Sequence, residues 1–527
     1  MILAVDNINV SGGTEGNMKY VIGVDIGTTS TKSVLFTEKG AIVASHGIEY
    51  PLHSPSPAIA EQDPDEIFNA VLETIGQAIM KRNVQPKDIL CVSFSSAMHS
   101  VIAVNEEGSP LTKCITWADN RSIKWTEKIK NEWNGHEIYM RTGTPIHPMS
   151  PLSKLTWLRY DHKELFDLTY KFISIKEYVF FKLFGQYVID YSIASATGMF
   201  HLENLQWDEE ALRVAGVTPD RLSELVPTTF KLAGMDEQYA KRMNLPASTP
   251  FVVGASDGVL SNLGVNAIKP GVVAVTIGTS GAIRAVTDKP VTDPKGRIFC
   301  YALTEKHWVI GGPVNNGGMI FRWVRDQIGT EEIASAKKLG VDPYELLTEL
   351  AAKAKPGSEG LIFHPYLSGE RAPLWDANAR GSYFGLGLHH KKEHLVRAAL
   401  EGVIFNLYSV LLALEELTGK PTKIQATGGF ARSELWRQMM ADIFDQELHV
   451  PESIESSCLG AVILGLYSLG EVDSLDVVSE MVGGSHFHLP NKQNAEIYSE
   501  LMRIYIRVSR LLTEEYANIA AFQQKWI

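Results

Sequence analysis

Cysteine is scarce in this chain of 527 residues: there are four, Cys91, Cys114, Cys300 and Cys458. None is close to another in sequence and no CxxC pair occurs. That excludes a disulfide framework and a cysteine-based zinc site. Reduced core thiols in a cytoplasmic protein are the expectation. A basic surplus is also missing. The formal net charge is −12, which argues against nucleic acid or an anionic membrane as partner, because both select basic surface. No apolar run is read as long enough to span a bilayer. The opening MILAVDNINV has no basic n-region and carries an acid at Asp6, so no signal peptide is expected. The common nucleotide signatures are absent as well. There is no Walker A pattern, and no GxGxxG opens a helix after a strand.

What is present is an ordinary globular composition, 45% hydrophobic and 21% charged, in a chain too long for one core. Two large domains are expected, 18–266 and 267–527. Residues 1–17 end in the Gly/Ser-rich SGGTEGN and read as a flexible extension. The chain then says nearly the same thing twice. Gly23 to Leu35 reads GVDIGTTSTKSVL, and Ala274 to Val286 reads AVTIGTSGAIRAV. Each copy is a β-branched run, a Gly-Thr break and a second apolar run: a strand, a tight turn and a strand. Glycine admits close approach of a ligand, and freed amides and hydroxyls are donors for phosphate oxygens. Two such turns suggest a duplicated fold with a nucleotide phosphate clamped between its halves. Only the first copy has an acid, Asp25, where the second has Thr276. One metal-binding carboxylate is what a nucleotide site needs.

The remaining pattern alternates strands and helices. YVIGVDIG and KSVLFTEKGAIVASHGIEY read as a strand meander. The helix that follows has Asp63 as N-cap, Pro64 at its first position and Glu66 at capping-box spacing. Ile67, Val71, Ile75 and Ala78 recur along it at helical spacing. DILCVSFSSAM is a buried strand. A long helix spans His394 to Leu417 and is stopped by Gly419 and Pro421. KIQATGG is a strand opening onto the helix SELWRQMMADIFD. This is an α/β protein of two domains with a cleft between them.

Four segments carry candidate chemistry. In DIGTTSTK, Asp25 is placed to hold Mg²⁺, with Gly27, Thr28, Thr29 and Lys32 around the phosphates; a plain hairpin turn uses the same residue types. Gly278, Thr279 and Ser280 are their counterparts in the second copy. In GASDG, Gly254 to Gly258, Asp257 suits a general base for phosphoryl transfer, where one carboxylate is enough. The bland reading of Asp257 is a helix cap. GASDG also matches the G-x-S-x-G nucleophile elbow, which would make Ser256 a hydrolase nucleophile; no HGG-type oxyanion segment precedes it. In ATGGFARSELW, Gly428 and Gly429 offer a flat backbone for an adenine, with Arg432 and Ser433 at the mouth of the next helix. The alternative is a Gly-rich strand-to-helix turn. Finally, His99, Trp117, Asp119, Arg121, His147 and Lys154 are scattered through the first half. These types bind polyols around an aromatic wall, and each alone is equally a structural residue.

Taken together, these segments resemble the FGGY family of carbohydrate kinases, from about Met18 to near the C-terminus. Gly381 to Glu401, GSYFGLGLHHKKEHLVRAALE, matches the family's C-terminal signature. Met149 to Tyr160, MSPLSKLTWLRY, matches the N-terminal one, except that Tyr160 stands where a polar residue is expected. The resemblance implies an actin-like, hexokinase-like ATPase fold of duplicated ribonuclease H-like domains. It implies ATP in the interdomain cleft, Asp25 near Mg²⁺, Asp257 as base, and Gly318 and Gly428–Gly429 on the nucleotide side. His99, Trp117 and Arg121 become sugar contacts. The segments AMHS, TWADNRS, RTGTPIHPMSPL and GGPVNNGG, the last carrying Asn316, are most similar to the gluconate-phosphorylating members; xylulose-phosphorylating members have a His-Gly-Gln where this chain has His99-Ser100.

The reaction implied is ATP plus D-gluconate giving ADP and 6-phosphogluconate. A sugar acid is then the small-molecule partner, and a homodimer is left open as the assembly. Its carboxylate needs a cation in so acidic a protein, with Arg121 first and His147 and Lys154 behind it. Domain closure, with bending near Asn266 to Pro270, is expected on binding. The alternatives are another sugar or polyol kinase of the family, a Ser256 hydrolase, and a non-enzymatic sugar sensor.

Overall fold

The computed structural model describes residues 18–82, 84–451 and 455–526. The extension expected at residues 1–17 lies outside the described residues. The first repeat begins a meander of β1 (Tyr20–Ile26), β2 (Ser30–Thr37) and β3 (Ile42–Glu49), all antiparallel. Helix α1 (Pro64–Met80) returns the chain so that β4 (Ile89–Ser96) joins β1 in parallel. Much later β5 (Phe251–Ser256) joins β4, also in parallel. With the two-residue edge strand Lys231–Leu232, the sheet runs edge-β5-β4-β1-β2-β3. Helix α2 (Asp257–Gly264) leaves the end of β5.

The second half repeats this plan. β6 (Val272–Ile277) and β7 (Gly281–Thr287) flank the second turn. They are followed by β8 (Phe299–Thr304), β9 (His307–Val314), β10 (Lys423–Thr427), β11 (Leu448–Pro451) and β12 (Ser485–His488). The order is β8-β9-β7-β6-β10-β11-β12. Laid on the first sheet, β9-β7-β6-β10-β11 matches β3-β2-β1-β4-β5 strand for strand, with the same parallel and antiparallel pairings. Helix α3 (Lys392–Thr418) takes the place of α1, and α4 (Ser456–Leu469) the place of α2. The sequence repeat is therefore the first hairpin of a duplicated fold.

Burial explains the composition of these strands. Val21, Ile22, Val24 and Ile26 are fully buried. Ile22, Val24 and Ile26 meet Ile67, Val71 and Ile75 of α1 on one face. Val21 meets Cys458 and Val462 of α4 on the other. A sheet covered on both sides reads as a continuous apolar run. Because α4 belongs to the second half but covers the first sheet, the halves interlock. Gly23 makes this fit: a Cβ there would overlap the Cys458 carbonyl. Helices α2 and α4 touch through backbone, for a Cβ at Gly264 would overlap Ser456 and one at Gly460 would overlap Leu260.

The start of α1 agrees with its sequence signals. Asp63 accepts from the amides of Asp65 (2.9 Å) and Glu66 (3.3 Å), with Pro64 at the first position. One expectation needs correction. Helix α3, at 27 residues, is long and apolar enough by length and composition to cross a membrane. Val396, Leu400, Val403, Leu407 and Leu411 pack it into the core of the second half. Two charged residues within it, Arg397 and Glu401, pair with each other inside the protein at 2.7 Å. The four cysteines are free and buried.

Candidate active site

The two repeated turns lie at corresponding ends of the two sheets. In the first, the Gly27 amide donates to the Ser30 carbonyl at 2.9 Å. Three side chains hold the turn from outside. Tyr50 Oη donates to Gly27 O (2.7 Å), Gln62 Nε2 to Thr28 O (2.6 Å), and Trp117 Nε1 to Thr28 Oγ1 (2.9 Å). Thr29 is exposed at the tip. Asp25 lies just before the turn, and its two carboxylate oxygens accept from Ser95 (2.6 Å) and from Ser457 of α4 (3.1 Å). Burial raises its pKa despite these hydrogen bonds. Lys32 lies on β2. Its Nζ pairs with Glu455 at 2.5 Å, tying β2 to the second half.

In the second turn the Gly278 amide donates to Ser280 O at 2.9 Å. The segment Gly317–Gly318 lies directly on it. Gly318 N donates to Gly278 O (2.7 Å) and Met319 N to Thr279 O (3.0 Å). Gly428, at φ +103°, also abuts this turn, since a Cβ there would overlap the Ile277 carbonyl. Gly278, Thr279, Ser280, Gly318 and Gly428 are thus brought together, while Gly278 and Gly429 face open space. Thr276 sits across from Thr427 in the register, their hydroxyls 3.2 Å apart, where the first half pairs Asp25 with Ser95. The asymmetry read in the sequence is therefore acid–hydroxyl against hydroxyl–hydroxyl. Ser433 is the N-cap of the helix Glu434–Phe444, accepting from Trp436 N at 3.2 Å, so its hydroxyl has a structural task. Arg432 is exposed.

Asp257 opens α2 at the end of β5, as a strand-to-helix turn requires. Its Oδ1 accepts from the Gly258 amide at 2.6 Å. Burial is the main cause that raises its pKa to about 6, with the Asp25 charge adding and the Arg284 charge opposing. Ser256, one residue earlier, is fully buried. Its hydroxyl meets only that of Ser192, at 3.1 Å, among the described residues. A nucleophile needs a base within hydrogen-bond reach. Ser256 has none, and the hydrolase reading fails.

The polar residues of the first half converge on the same cleft. His99 adopts φ 70° and holds Ala196 O through Nδ1 at 2.7 Å. A carbonyl can only accept, so Nδ1 carries the proton and Nε2 is left as an acceptor. Burial lowers the His99 pKa to about 3, so the ring is neutral. His147 is the complement. Its Nδ1 accepts from Met149 N (3.1 Å), leaving the proton on Nε2, and burial again lowers its pKa well below the usual value. Both rings meet aromatic residues of the second half: His99 lies 5.9 Å from Tyr301, and His147 lies 5.7 Å from Trp375. Trp117 carries the Arg371 guanidinium over its face at 4.7 Å.

Four expected ligand contacts, Arg121, Asp119, Lys154 and Asn316, are hydrogen-bonded to protein neighbours. Arg121 Nε donates to both oxygens of Asp119 at 3.0 Å, and its Nη2 pairs with Glu61 at 2.5 Å. Its fork is spent on two acids, and Asp119 also accepts from Ala60 N at 3.0 Å. Lys154 is buried and donates to the carbonyls of His99 (3.2 Å), Pro148 (3.3 Å) and Met149. It fixes the His99 loop. Asn316 is fully buried, and its amide holds Gly369 O (2.7 Å) and Glu370 Oε2 (2.9 Å). It supports the loop that carries Arg371.

The sequence reading missed Arg371, Tyr301 and Arg284, all from the second half. Arg371 follows Glu370, whose carboxylate is held by the Asn315 amide and by Asn316 and Asn406. Nothing in the spacing of a lone Glu-Arg pair announces a cleft residue. Arg284 lies inside the repeat itself, at a position where the first copy has Ser33.

The arrangement offers two amide-lined turns, one acid held by hydroxyls, a second acid with a pKa near neutrality, and a polar pocket walled by aromatic rings. The FGGY family of carbohydrate kinases, N-terminal domain, matches residues 20–264, and its C-terminal domain matches residues 273–469. A protein of Bacillus subtilis (strain 168) described as gluconokinase is 61% identical over 506 residues, covering 96% of this chain and 98% of that protein. The crystal structure of gluconate kinase from Lactobacillus acidophilus superposes with a TM-score of 0.90 at 39% identity, covering 95% of this chain and 100% of that one. A ligand-bound structure described as xylulose kinase from the same organism gives the same values.

Proposed function

The chain belongs to the FGGY family of carbohydrate kinases, and from that premise we propose that it transfers the terminal phosphoryl group of ATP to D-gluconate. The products are ADP and 6-phosphogluconate. The observation that carries this reading is Asp257, a carboxylate at the start of α2 whose pKa burial raises to about 6. Such a group is ionised at pH 7.5 yet far more basic than an ordinary aspartate, which is what a general base requires. The extensive similarity to a gluconokinase supports gluconate as the acceptor.

In this mechanism Asp257 takes the proton from the 6-hydroxyl as its oxygen bonds to the γ-phosphorus. The bond from that phosphorus to the β-phosphate oxygen breaks in line, and the leaving electron pair stays on ADP. The amides of Thr28, Thr29, Thr279 and Ser280, with the hydroxyls beside them, hold the phosphates. Gly428 and Gly429 give a side-chain-free surface for the base. His99 accepts a substrate hydroxyl proton through Nε2, His147 donates through Nε2–H, and Trp117 forms the wall. Asp25 suits Mg²⁺: its carboxylate is aimed by two hydroxyls, and the ion would complete its shell with phosphate oxygens and water. When bound, Mg²⁺ supplies neutralisation of phosphate charge. Four buried thiols suit a reducing compartment, and we place the protein in the cytoplasm.

The structure described as xylulose kinase favours a second reading, a neutral ketose as acceptor for the same machinery. A coupled ADP-forming assay over gluconate, xylulose, ribulose and glycerol separates the two. Gluconate is expected to give the highest kcat/KM. A ketose giving the highest value would overturn the gluconate assignment and leave the kinase assignment standing.

A further inference from the structure

A sugar acid brings a negative charge into a cleft that already holds Asp25 and Asp257. Some cation must meet it, and the cations around the cleft differ in how far their donors are already used. Arg121 is saturated by Asp119 and Glu61. Lys32 is paired with Glu455. Lys154 is spent on three carbonyls. Lys176 faces Asp190 at 2.6 Å. Arg371 gives Nε to Asn315 Oδ1 at 2.7 Å and Nη2 to Val314 O at 3.3 Å.

Arg284 is different. It projects from β7, five residues after the second turn begins to return, and it is only partly exposed. Among the described residues its guanidinium donates to no acceptor and has no carboxylate within ion-pair distance. A guanidinium has five N–H donors in a fixed fork and cannot shed its charge. Leaving all of them unused in a recessed site is costly unless a ligand fills them. Its position is built. A Cβ at Gly258 would lie 3.0 Å from Nε and Nη2 and 3.2 Å from Cζ of Arg284. Gly258 has no side chain, and its bareness makes room for the guanidinium. From the other side, Arg284 is backed by β9, where a Cβ at Gly311 would lie 2.9 Å from Arg284 Cα and 3.1 Å from Cγ. Two glycines thus bracket this one arginine.

We propose that Arg284 is the specificity-determining residue of this site, its unclaimed guanidinium fork receiving the carboxylate of the sugar acid from the second half of the molecule. The inference rests on the gluconate reading above. It makes the two halves complementary: the first supplies neutral histidines and Trp117 for hydroxyls, and the second supplies the one charge that separates an acid from a neutral polyol. Bidentate carboxylate recognition by Arg is geometric as well as electrostatic, so lysine replaces it poorly.

The test uses the full-length enzyme and two six-carbon ligands, gluconate and glucitol, the latter lacking the carboxylate. Arg284→Gln should raise the dissociation constant of gluconate by roughly 100-fold, the loss typical of a removed charge-assisted pair. The inhibition constant of glucitol should change by less than about threefold, so that the preference for the acid collapses. Arg284→Lys should fall between, losing about tenfold. Gly258→Ala, which crowds the guanidinium without removing it, should weaken gluconate more than glucitol; this arm holds even where Arg284→Gln folds poorly. Equal losses for both ligands in the folded variants would overturn the proposal while leaving gluconate kinase activity intact. A wild-type enzyme that turns over no gluconate would instead sink the substrate reading, and this inference with it.

Discussion

Replacing Asp257 by Asn tests catalysis and stability at once, in opposite directions. The substitution keeps the shape, and Asn Oδ1 can still accept the Gly258 amide that Asp257 now holds at 2.6 Å. It removes the charge. Loss of a general base lowers kcat by roughly 10²–10⁴-fold. The stability effect follows from the raised pKa. Burial and Asp25 hold the folded-state pKa at about 6, above the ordinary 3.8 of an aspartate. The folded protein therefore binds this proton more tightly than the unfolded chain does. Its stability falls as pH rises from about 4 through about 6, by on the order of 3 kcal/mol for a shift of about two units. Asn removes that loss. Asp257→Asn should unfold later than the wild type at pH 7.5, and the advantage should shrink towards pH 4. Urea unfolding at both pH values, run beside the coupled kinase assay, reads both effects. A variant that keeps kcat within tenfold of wild type, or that loses stability at pH 7.5, would refute the reasoning.

The same group sets the pH profile: kcat/KM should fall with unit slope below about pH 6, as Asp257 is protonated, and a flat profile down to pH 5 would speak against it as base. Ser256→Ala should cost at most about tenfold in kcat, because its hydroxyl meets only Ser192, and serine-directed reagents should leave the protein unlabelled. Two phosphate turns on separate sheets can grip one nucleotide only by approaching, so ATP with gluconate should reduce the radius of gyration in small-angle scattering, with bending near Asn266 to Pro270; an unchanged value in both states contradicts closure. Chelation of Mg²⁺ should abolish turnover, and Asp25→Asn should raise the Mg²⁺ concentration needed for half-maximal rate about tenfold or more.

The duplicated fold was legible because its signal is local and repeated. Two β-branched runs broken by Gly-Thr mark two hairpins, and each hairpin lies at the centre of the same five-strand order. Asp25 is singled out in the sequence because the second copy of the repeat has Thr276 in its place, and Asp257 because it falls between a buried strand and an apolar helical run. The apolar length of α3 was not, because Arg397 and Glu401 look solvated in sequence and pair only in three dimensions. Polar side chains in the cleft were hardest to assign. Arg121, Lys154 and Asn316 have ligand-binding chemistry, yet each is consumed by neighbours that only folding brings near. Arg284 shows the converse. Its importance comes from partners it lacks, and from a glycine 26 positions away that gives it space. Absence of a partner is invisible until the chain is folded.

The central claim is transfer of a phosphoryl group to the terminal hydroxyl of a sugar acid. Incubation with [γ-³²P]ATP and gluconate, followed by separation and positional analysis of the labelled product, tests it most directly. The account predicts label on the C6 oxygen of gluconate, with little inorganic phosphate, and at least about 100-fold slower transfer in Asp257→Asn. Label that stays in ATP, or that appears only as inorganic phosphate, would contradict it.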